Sequence, residues 1–452
     1  MPRASPRHLT LVLSALAATC AAEEPAPPLQ KQIDELRRAT QLLEQQVAGL
    51  TVDAGAGAPA SPLRLIDISL AVVAVGATSS VQDAELAQLQ AGGHDPRQRG
   101  FSVPAVELSF SGAVDAYLHA EVRIATFIST EGETEVELED AFVRSQRLPA
   151  GLELKAGQYL TEFGRLNAMH AHTWTWLDQP VINSRVFGPD GLRGQGARLG
   201  VTLPLPWQTQ VLAGLQNAHG ETMTSFAGVE GETVAGRPLG AHEVRDFGDL
   251  TACFGWTNAI TVGDVAVRAG VSAAVGPNTA GVDTRTAIYG AHLALRWGGS
   301  EYHHGHTHAH RDSGVTVTWE TEVIARRYEV DLYTDDPDGV PASGDETDYP
   351  ADTLRDRGFV TQLLIGLLPG WSAGLRYEQA TGGGESVRGR ATDPMRDDRW
   401  RLSPLVVWRP SEASRVRLQY NLDHAEHLVD RHAHTVWLGI DVLLGSHSAH
   451  EL

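Results

Sequence analysis

The chain has 452 residues, 42% of them hydrophobic, with a mean hydropathy of −0.18 and a formal net charge of −20. No run of about 18 apolar residues follows the N-terminus, which excludes helical membrane spans. The acidity argues against a nucleic-acid partner, and two cysteines, Cys20 and Cys253, are too few for a disulfide framework.

Residues 1–22 read as a secretory signal. Arg3 and Arg7 give a positive start, Leu9 to Ala18 an apolar core, and Cys20-Ala21-Ala22 the small residues that suit cleavage after Ala22. A lipidated Cys20 is the alternative, although Thr19 before it is unusual for that. Cleavage removes two arginines, takes the charge from −20 to −22 and leaves Cys253 alone. Next, Leu29, Ile33, Leu36, Thr40, Leu43, Val47 and Leu50 recur at alternate steps of four and three. This stripe predicts a periplasmic coiled-coil helix within 23–62, with a lone amphipathic helix as the alternative. So short a coiled coil is marginal alone, but on a trimeric barrel proximity would hold it together. Ala54 to Pro62 is a small-residue linker.

From about Leu65 to Leu444 the pattern changes to alternation. In Arg415–Asp423, Val416, Leu418, Tyr420 and Leu422 point one way, and Arg415, Arg417, Gln419, Asn421 and Asp423 the other. A strand with one greasy and one polar face suits a wall between lipid and water, and a barrel built of such strands escapes hydropathy scans. Candidate strands begin near Leu65, Ser102, Tyr117, Val136, Leu152, Gly196, Gln208, Thr251, Val265, Arg285, Val315, Phe359, Ser372, Arg399, Arg415 and Thr435. They predict an all-β transmembrane antiparallel barrel of about 16 strands over 63–445.

The connections alternate in length, as short periplasmic turns and long outer loops do. Short ones fall at 148–151, 203–207, 262–264, 368–370 and 410–413; long ones at 161–194, 218–248, 331–356 and 381–398. Trp400 and Trp408 share the outward face of one strand. Eight residues at about 3.4 Å rise, tilted by about 40°, project to roughly 21 Å, near the height of a lipid-facing band between aromatic girdles. A soluble β-sandwich or propeller accounts poorly for a signal peptide together with this loop alternation.

The opposite face predicts a charged lumen. Glu121 and Arg123 fall on one strand, Glu320, Glu322 and Arg326 on another, Arg376 and Glu378 on a third. Arg399 and Arg401 stand beside Arg415 and Arg417 on adjacent strands; these four repel unless anions or loop carboxylates face them. Such charges predict either a transverse field across a water-filled channel or a solvated interior without a chosen substrate. Loop 161–194, rich in aromatics, is expected to fold inward and narrow the pore, carrying Arg165, His170, His172, Asp178 and Arg185.

Within that loop and just beyond it, Thr161-Glu-Phe-Gly-Arg-Leu-Asn167, His170-Ala-His172, Asp178-Gln-Pro180, Phe187-Gly-Pro-Asp-Gly-Leu-Arg-Gly194, Leu203-Pro-Leu-Pro-Trp207 and Gln216-Asn-Ala-His-Gly-Glu-Thr222 stand out. Over about 155–226 the chain resembles porin-like outer-membrane proteins often labelled zinc-regulated TonB-dependent receptors; elsewhere the likeness is one of pattern. The resemblance implies an outer-membrane barrel connected with zinc. The sequence departs from the TonB-dependent part of that label, since segment 23–62 is too short for the plug of a 22-stranded transporter. A periplasmic coiled coil before sixteen strands also resembles phosphate-selective porins.

Nineteen histidines are clustered. His303, His304, His306, His308 and His310 form one run, expected at a periplasmic connection. His424, His427, His432 and His434 form another, expected in an outer loop. His447 and His450 lie in the tail, 446–452. Imidazole suits zinc, copper and nickel, so both runs are candidate Zn2+ ligands, against the alternative of polar loops with incidental affinity. No zinc is required for folding on this reading, because no closed structural site is spelled out.

No G-x-S-x-G or phosphate-cradling motif occurs, and Gly382-Gly-Gly384 followed by Glu385 lacks the lysine a phosphate loop needs. The chain is therefore expected to be no enzyme. The leading expectation is a trimeric porin-like channel in the outer membrane of a Gram-negative-type bacterium, passing small hydrophilic solutes or ions and linked to zinc or metal acquisition. The alternatives are a zinc-binding receptor without a plug domain and a purely structural tether.

Overall fold

In the computed structural model, residues 66–298, 315–339, 344–384 and 389–445 are described. The predicted signal, coiled coil and linker, the His303–His310 run and the 446–452 tail lie outside the described residues. No described helix is long and apolar enough to cross a membrane.

Sixteen strands close into one antiparallel barrel: β1 (Asp67–Ser79), β2 (Gly100–Ala113), β3 (Leu118–Ile128), β4 (Thr134–Ser145), β5 (Leu152–Leu160), β6 (Arg193–Thr202), β7 (Gln208–Asn217), β10 (Leu250–Val262), β11 (Val265–Pro277), β12 (Arg285–Trp297), β13 (Thr316–Val330), β16 (Asp352–Leu368), β17 (Trp371–Gly383), β18 (Arg399–Ser411), β19 (Ser414–Ala425) and β20 (His432–Gly445). Two small hairpins, β8 (Thr233–Val234) with β9 (Arg237–Pro238) and β14 (Tyr333–Asp335) with β15 (Thr347–Tyr349), decorate long connections. The register of β20 on β1, from Ser69↔Gly445 to Ser79↔Thr435, closes the ring. Closure leaves no strand edge unpaired, which a lipid-embedded sheet requires.

The period of two sets the faces. Along β20, Val436, Leu438, Ile440, Val442 and Leu444 are exposed, while Ala433, Thr435, Trp437 and Asp441 are buried. On β18, Trp400, Leu402, Pro404, Val406 and Trp408 face outward. Trp408 stacks on Trp371 at 5.7 Å near the short-turn end, and Trp400 stacks on His424 at 5.6 Å near the other. A closed sixteen-stranded barrel with an apolar outside is an outer-membrane architecture.

The predicted strand near Phe359 begins instead at Asp352. Its early outward residues, Arg355 and Arg357, are exposed charges, and Arg327 faces outward on the neighbouring strand. These strands extend beyond the lipid, so the greasy half of the alternation is missing and the segment reads as a loop.

The larger departure lies inside. The inner wall is not bathed in water at this level: Arg376, Glu378, Arg401, Arg417, Gln419 and Asn421 are all at most 1% exposed. Connections fold into the barrel and pack against its inner wall. One carries α1 (Asp83–Leu89), whose Leu86 and Leu89 are buried; another carries α2 (Val181–Phe187), buried at every residue. Phe163, Ile182, Val186 and Phe187 pack with Met223 and Phe226 against inward-facing Ala274, Ile288 and Ile324. Each such large side chain contributes roughly 1.5–3 kcal/mol on burial. One covered stretch of the inner wall is apolar: Val73, Val75, Ala105 and Trp437 meet Leu86, Ala171 and Leu177. Gly439 is needed there, because a Cβ would lie 2.4 Å from Leu177 Cδ2.

Candidate functional site

The connection between β5 and β6, residues 161–192, crosses the interior and bonds to walls on several sides. Gly164 N–H donates to Ser272 Oγ on β11 at 2.9 Å, and the Trp176 indole donates to the Ser403 carbonyl on β18 at 3.0 Å. Val181 N–H donates to Glu378 on β17 at 2.6 Å, and His172 N–H donates to Glu107 on β2 at 3.0 Å. The segment thus spans the lumen rather than fringing it.

Asp178 is its most heavily bonded point. One carboxylate oxygen accepts from Arg376 at 2.5 Å and from Gln419 at 2.8 Å; the other accepts from Arg401 and Asn421, both at 2.8 Å. Burial alone would raise its pKa, but the Arg376 and Arg401 guanidiniums and the Gln419 and Asn421 amides hold it down at about 2. These partners come from three adjacent strands, and each points inward because it sits at an alternate position.

The other arginines of this arc are also partnered. Arg401 binds Asp423 at 2.7 Å and the Leu89 carbonyl at 2.8 Å; Arg399 binds the Leu89 carbonyl at 2.8 Å. Arg415 and Arg417 share Asp441, at 2.7 and 2.5 Å, and donate to the carbonyls of His172 and of Trp174 and Trp176. The expected mutual repulsion is thus met by carboxylates and backbone carbonyls, and these groups do not line open water. A solvated polar interior is corrected to a buried ion-pair network, because inserted segments exclude water there.

Elsewhere Arg165 binds Glu320 at 2.9 Å, and its backbone N–H donates to Glu322 at 2.8 Å. Arg123 pairs with Glu121 at 2.8 Å, and Arg326 with Asp356 at 2.6 Å. Arg185 donates to the Asp397 carbonyl at 2.7 Å. Asp356, Asp423 and Asp441 face inward at alternate strand positions, and Asp397 lies buried just before β18; alternation alone does not say which inward acid meets which base.

The second histidine run divides. His424 ends β19, while His432 and His434 begin β20, so only 426–431 is loop. His424 and His432 have ring centroids 4.8 Å apart on the outer rim, and His434 bonds to the Tyr420 hydroxyl at 2.6 Å. His427 turns inward and bonds to Asp397 at 2.8 Å. His427 is in the loop, where its bond to Asp397 turns it inward, while the other three sit on strand ends, which corrects the expectation of one outer-loop cluster. The connection holding His303, His304, His306, His308 and His310 leaves β12 and enters β13 at the short-turn end; the histidines themselves lie outside the described residues.

His170 and His172 are drawn to an acidic arc of wall that composition did not reveal. His170 bonds to Glu139 and Asp140, both at 3.0 Å, and His172 bonds to Glu107 at 2.6 Å. Burial and Arg123 push the His170 pKa down, but Glu139 and Asp140 hold it up at about 9. Two consecutive acids reach the lumen because the register shifts: Asp140 pairs with Arg123 and Leu138 with Ile124, leaving Glu139 as the extra residue of a bulge. A bulge is invisible to an alternation count.

No family model matches the chain. It is 26% identical over 410 residues to an uncharacterized protein of Aquifex aeolicus (strain VF5), covering 85% of this chain and 80% of that one. Similar solved structures include an anion-selective porin from Comamonas acidovorans (TM-score 0.49, 8% identity, 84% of this chain and 99% of that). They also include the outer membrane channel DcaP of Acinetobacter baumannii (TM-score 0.49, 10%, 84% and 97%) and Pseudomonas putida OprB (TM-score 0.48, 10%, 84% and 94%). Nothing in these likenesses ties the chain to zinc or to TonB-dependent receptors.

Proposed function

We propose that this porin-like barrel is a channel for small hydrophilic solutes or ions, narrowed from within by the 161–192 segment. The observation that carries the reading is the inserted segment itself: a charged lumen is crossed by a chain held through hydrogen bonds and ion pairs. A sixteen-stranded barrel is wide enough for an aqueous route unless filled, and a non-covalent filling can shift. Arg165, His170, His172, Asp178 and Arg185 are then the groups that set the constriction. The arginine arc and the acidic arc supply fields of opposite sign to a passing ion. A homotrimer is the proposed assembly, to be read from the mass of the detergent-extracted barrel.

Single-channel recording in a planar bilayer tests the reading. The wild type should pass a small ohmic current, and loosening the segment by Asp178→Ala should enlarge it. A folded barrel silent in both forms would sink the channel. Metal acquisition is a second reading, favoured by the adjacent His424 and His432 at the outer rim. Uptake from scarce zinc should then fall in His424→Ala/His432→Ala; unchanged uptake would remove it.

A further inference from the structure

The acidic arc holds more negative charge than its arginines answer. Glu107, Glu137, Glu139 and Asp140 converge on the lumen side of β2 and β4, where Arg193 binds Glu137 and Arg123 is engaged by Glu121. Glu107 and Glu139 are left to histidines, and Asp140 to His170 and the Leu160 N–H. For His170 the geometry is that of a protonated ring, since each nitrogen lies 3.0 Å from a carboxylate oxygen.

His94 differs. It is 5% exposed, and its Nδ1 lies 3.1 Å from the Pro104 carbonyl, an acceptor that calls for a proton on Nδ1. With Nδ1 so occupied, Nε2 is the ring nitrogen turned inward, and it can offer a lone pair to a cation that displaces its proton. Nε2 meets Glu139 Oε1 at 3.3 Å and Glu137 Oε2 at 3.8 Å, and makes no hydrogen bond to either. A charge-assisted bond would be about 2.7–2.9 Å long. Two ligands each about 2.1 Å from one cation sit roughly 3.0–3.6 Å apart. The three donor atoms lie within 4.8 Å of one another, and Glu137 Oε2 is likewise buried without a hydrogen-bond partner.

The frame around His94 is built to hold the ring. Phe127 meets it edge-on at 5.5 Å. The preceding turn is docked on the inserted segment, with Gly93 N–H donating to the Pro189 carbonyl at 2.8 Å. A Cβ at position 93 would fall 1.8 Å from Asp190 Oδ1. A backbone carbonyl on the far ring nitrogen is the usual orienting partner of a metal-ligating histidine.

We propose that His94 Nε2, Glu137 Oε2 and Glu139 Oε1 bind one divalent transition-metal cation inside the barrel, clamping the β1–β2 connection to β4. Mixed imidazole and carboxylate donors suit zinc, cobalt or nickel. Glu139 presents its other oxygen to His170, so the ion also steadies the 161–192 segment. The site does not depend on conduction, which is measured separately.

Co2+ is the probe, added to the full-length barrel in detergent after chelation and dialysis. Other histidine runs will take up Co2+ too, so the readout is the equivalent lost by substitution. Glu139→Gln and His94→Gln should each lose one equivalent, with its visible d–d absorption, or weaken it at least about tenfold. His424→Ala/His432→Ala should keep it. Equal binding in wild type and Glu139→Gln overturns the site. A check that needs no variant is the heat unfolding of the wild-type barrel, which excess Zn2+ should delay relative to EDTA by mass action; no delay overturns it as well.

Discussion

The arginine arc, from β17 to β20, and the acidic arc, from β2 to β4, hold the same inserted segment by different chemistry. In the first, the cationic groups are the guanidiniums of Arg376, Arg401, Arg415 and Arg417. Their ion-pair partners are Asp178, Glu378, Asp423 and Asp441, all within the chain. In the second, Glu107, Glu139 and Asp140 face the imidazoles of His172, His170 and His94 instead. One latch is therefore permanent, and the other answers to whatever supplies positive charge.

The largest break should come at the permanent latch. Asp178→Ala leaves Arg376 and Arg401 buried with a partner removed, at about 3–5 kcal/mol. The barrel should lose its folded form at a lower temperature on heated gels, together with the larger conductance expected above. If neither changes, Asp178 does not anchor the segment.

A smaller effect is expected from Glu107→Gln in the acidic arc. It removes the charge that accepts the His172 backbone and ring, and disturbing such a buried bond costs about 1–3 kcal/mol. The indole of Trp174 packs near Ala171 and Trp437, so its fluorescence should report the loosening. A loss as large as that of Asp178→Ala would erase the difference between the arcs.

The smallest effect is expected from acid at the arginine arc. The Asp178 carboxyl is held at about 2, below its ordinary value, so its contribution is full above about pH 4. It fades only as pH falls from there through about 2. Between pH 7 and 4.5 the emission of Trp176, beside Arg376, should stay constant in a variant whose acidic arc is disabled by Glu107→Gln. A transition in that range would mean that Asp178 is not the anchor.

Much of this organisation is legible along the chain. Alternation in Arg415–Asp423 assigns Arg417, Gln419, Asn421 and Asp423 to the inside and Leu418 to the outside, as found. Alternating loop lengths set the strand count and the two ends of the barrel. The aromatic content of 161–194 points to an inward fold. Three features were not legible: the bulge at Glu139, the start of β16 beyond the lipid, and the division of His427 from His424, His432 and His434. The first turns on register, the second on where the bilayer ends and the third on a bond from a loop to Asp397, none of them a property of one segment alone.

The sequence by itself determined the wall, because the side-chain period of an extended chain depends only on local geometry. It also determined which residues face inward. What those residues meet was decided by the tertiary structure. Asp178 is far in sequence from Arg376, Arg401, Gln419 and Asn421, and His94 from Glu137 and Glu139; only closure of the ring and insertion of its connections brings them together. Water exclusion follows from that insertion, and it converts part of a lumen that reads as open throughout into a packed constriction with two charged latches.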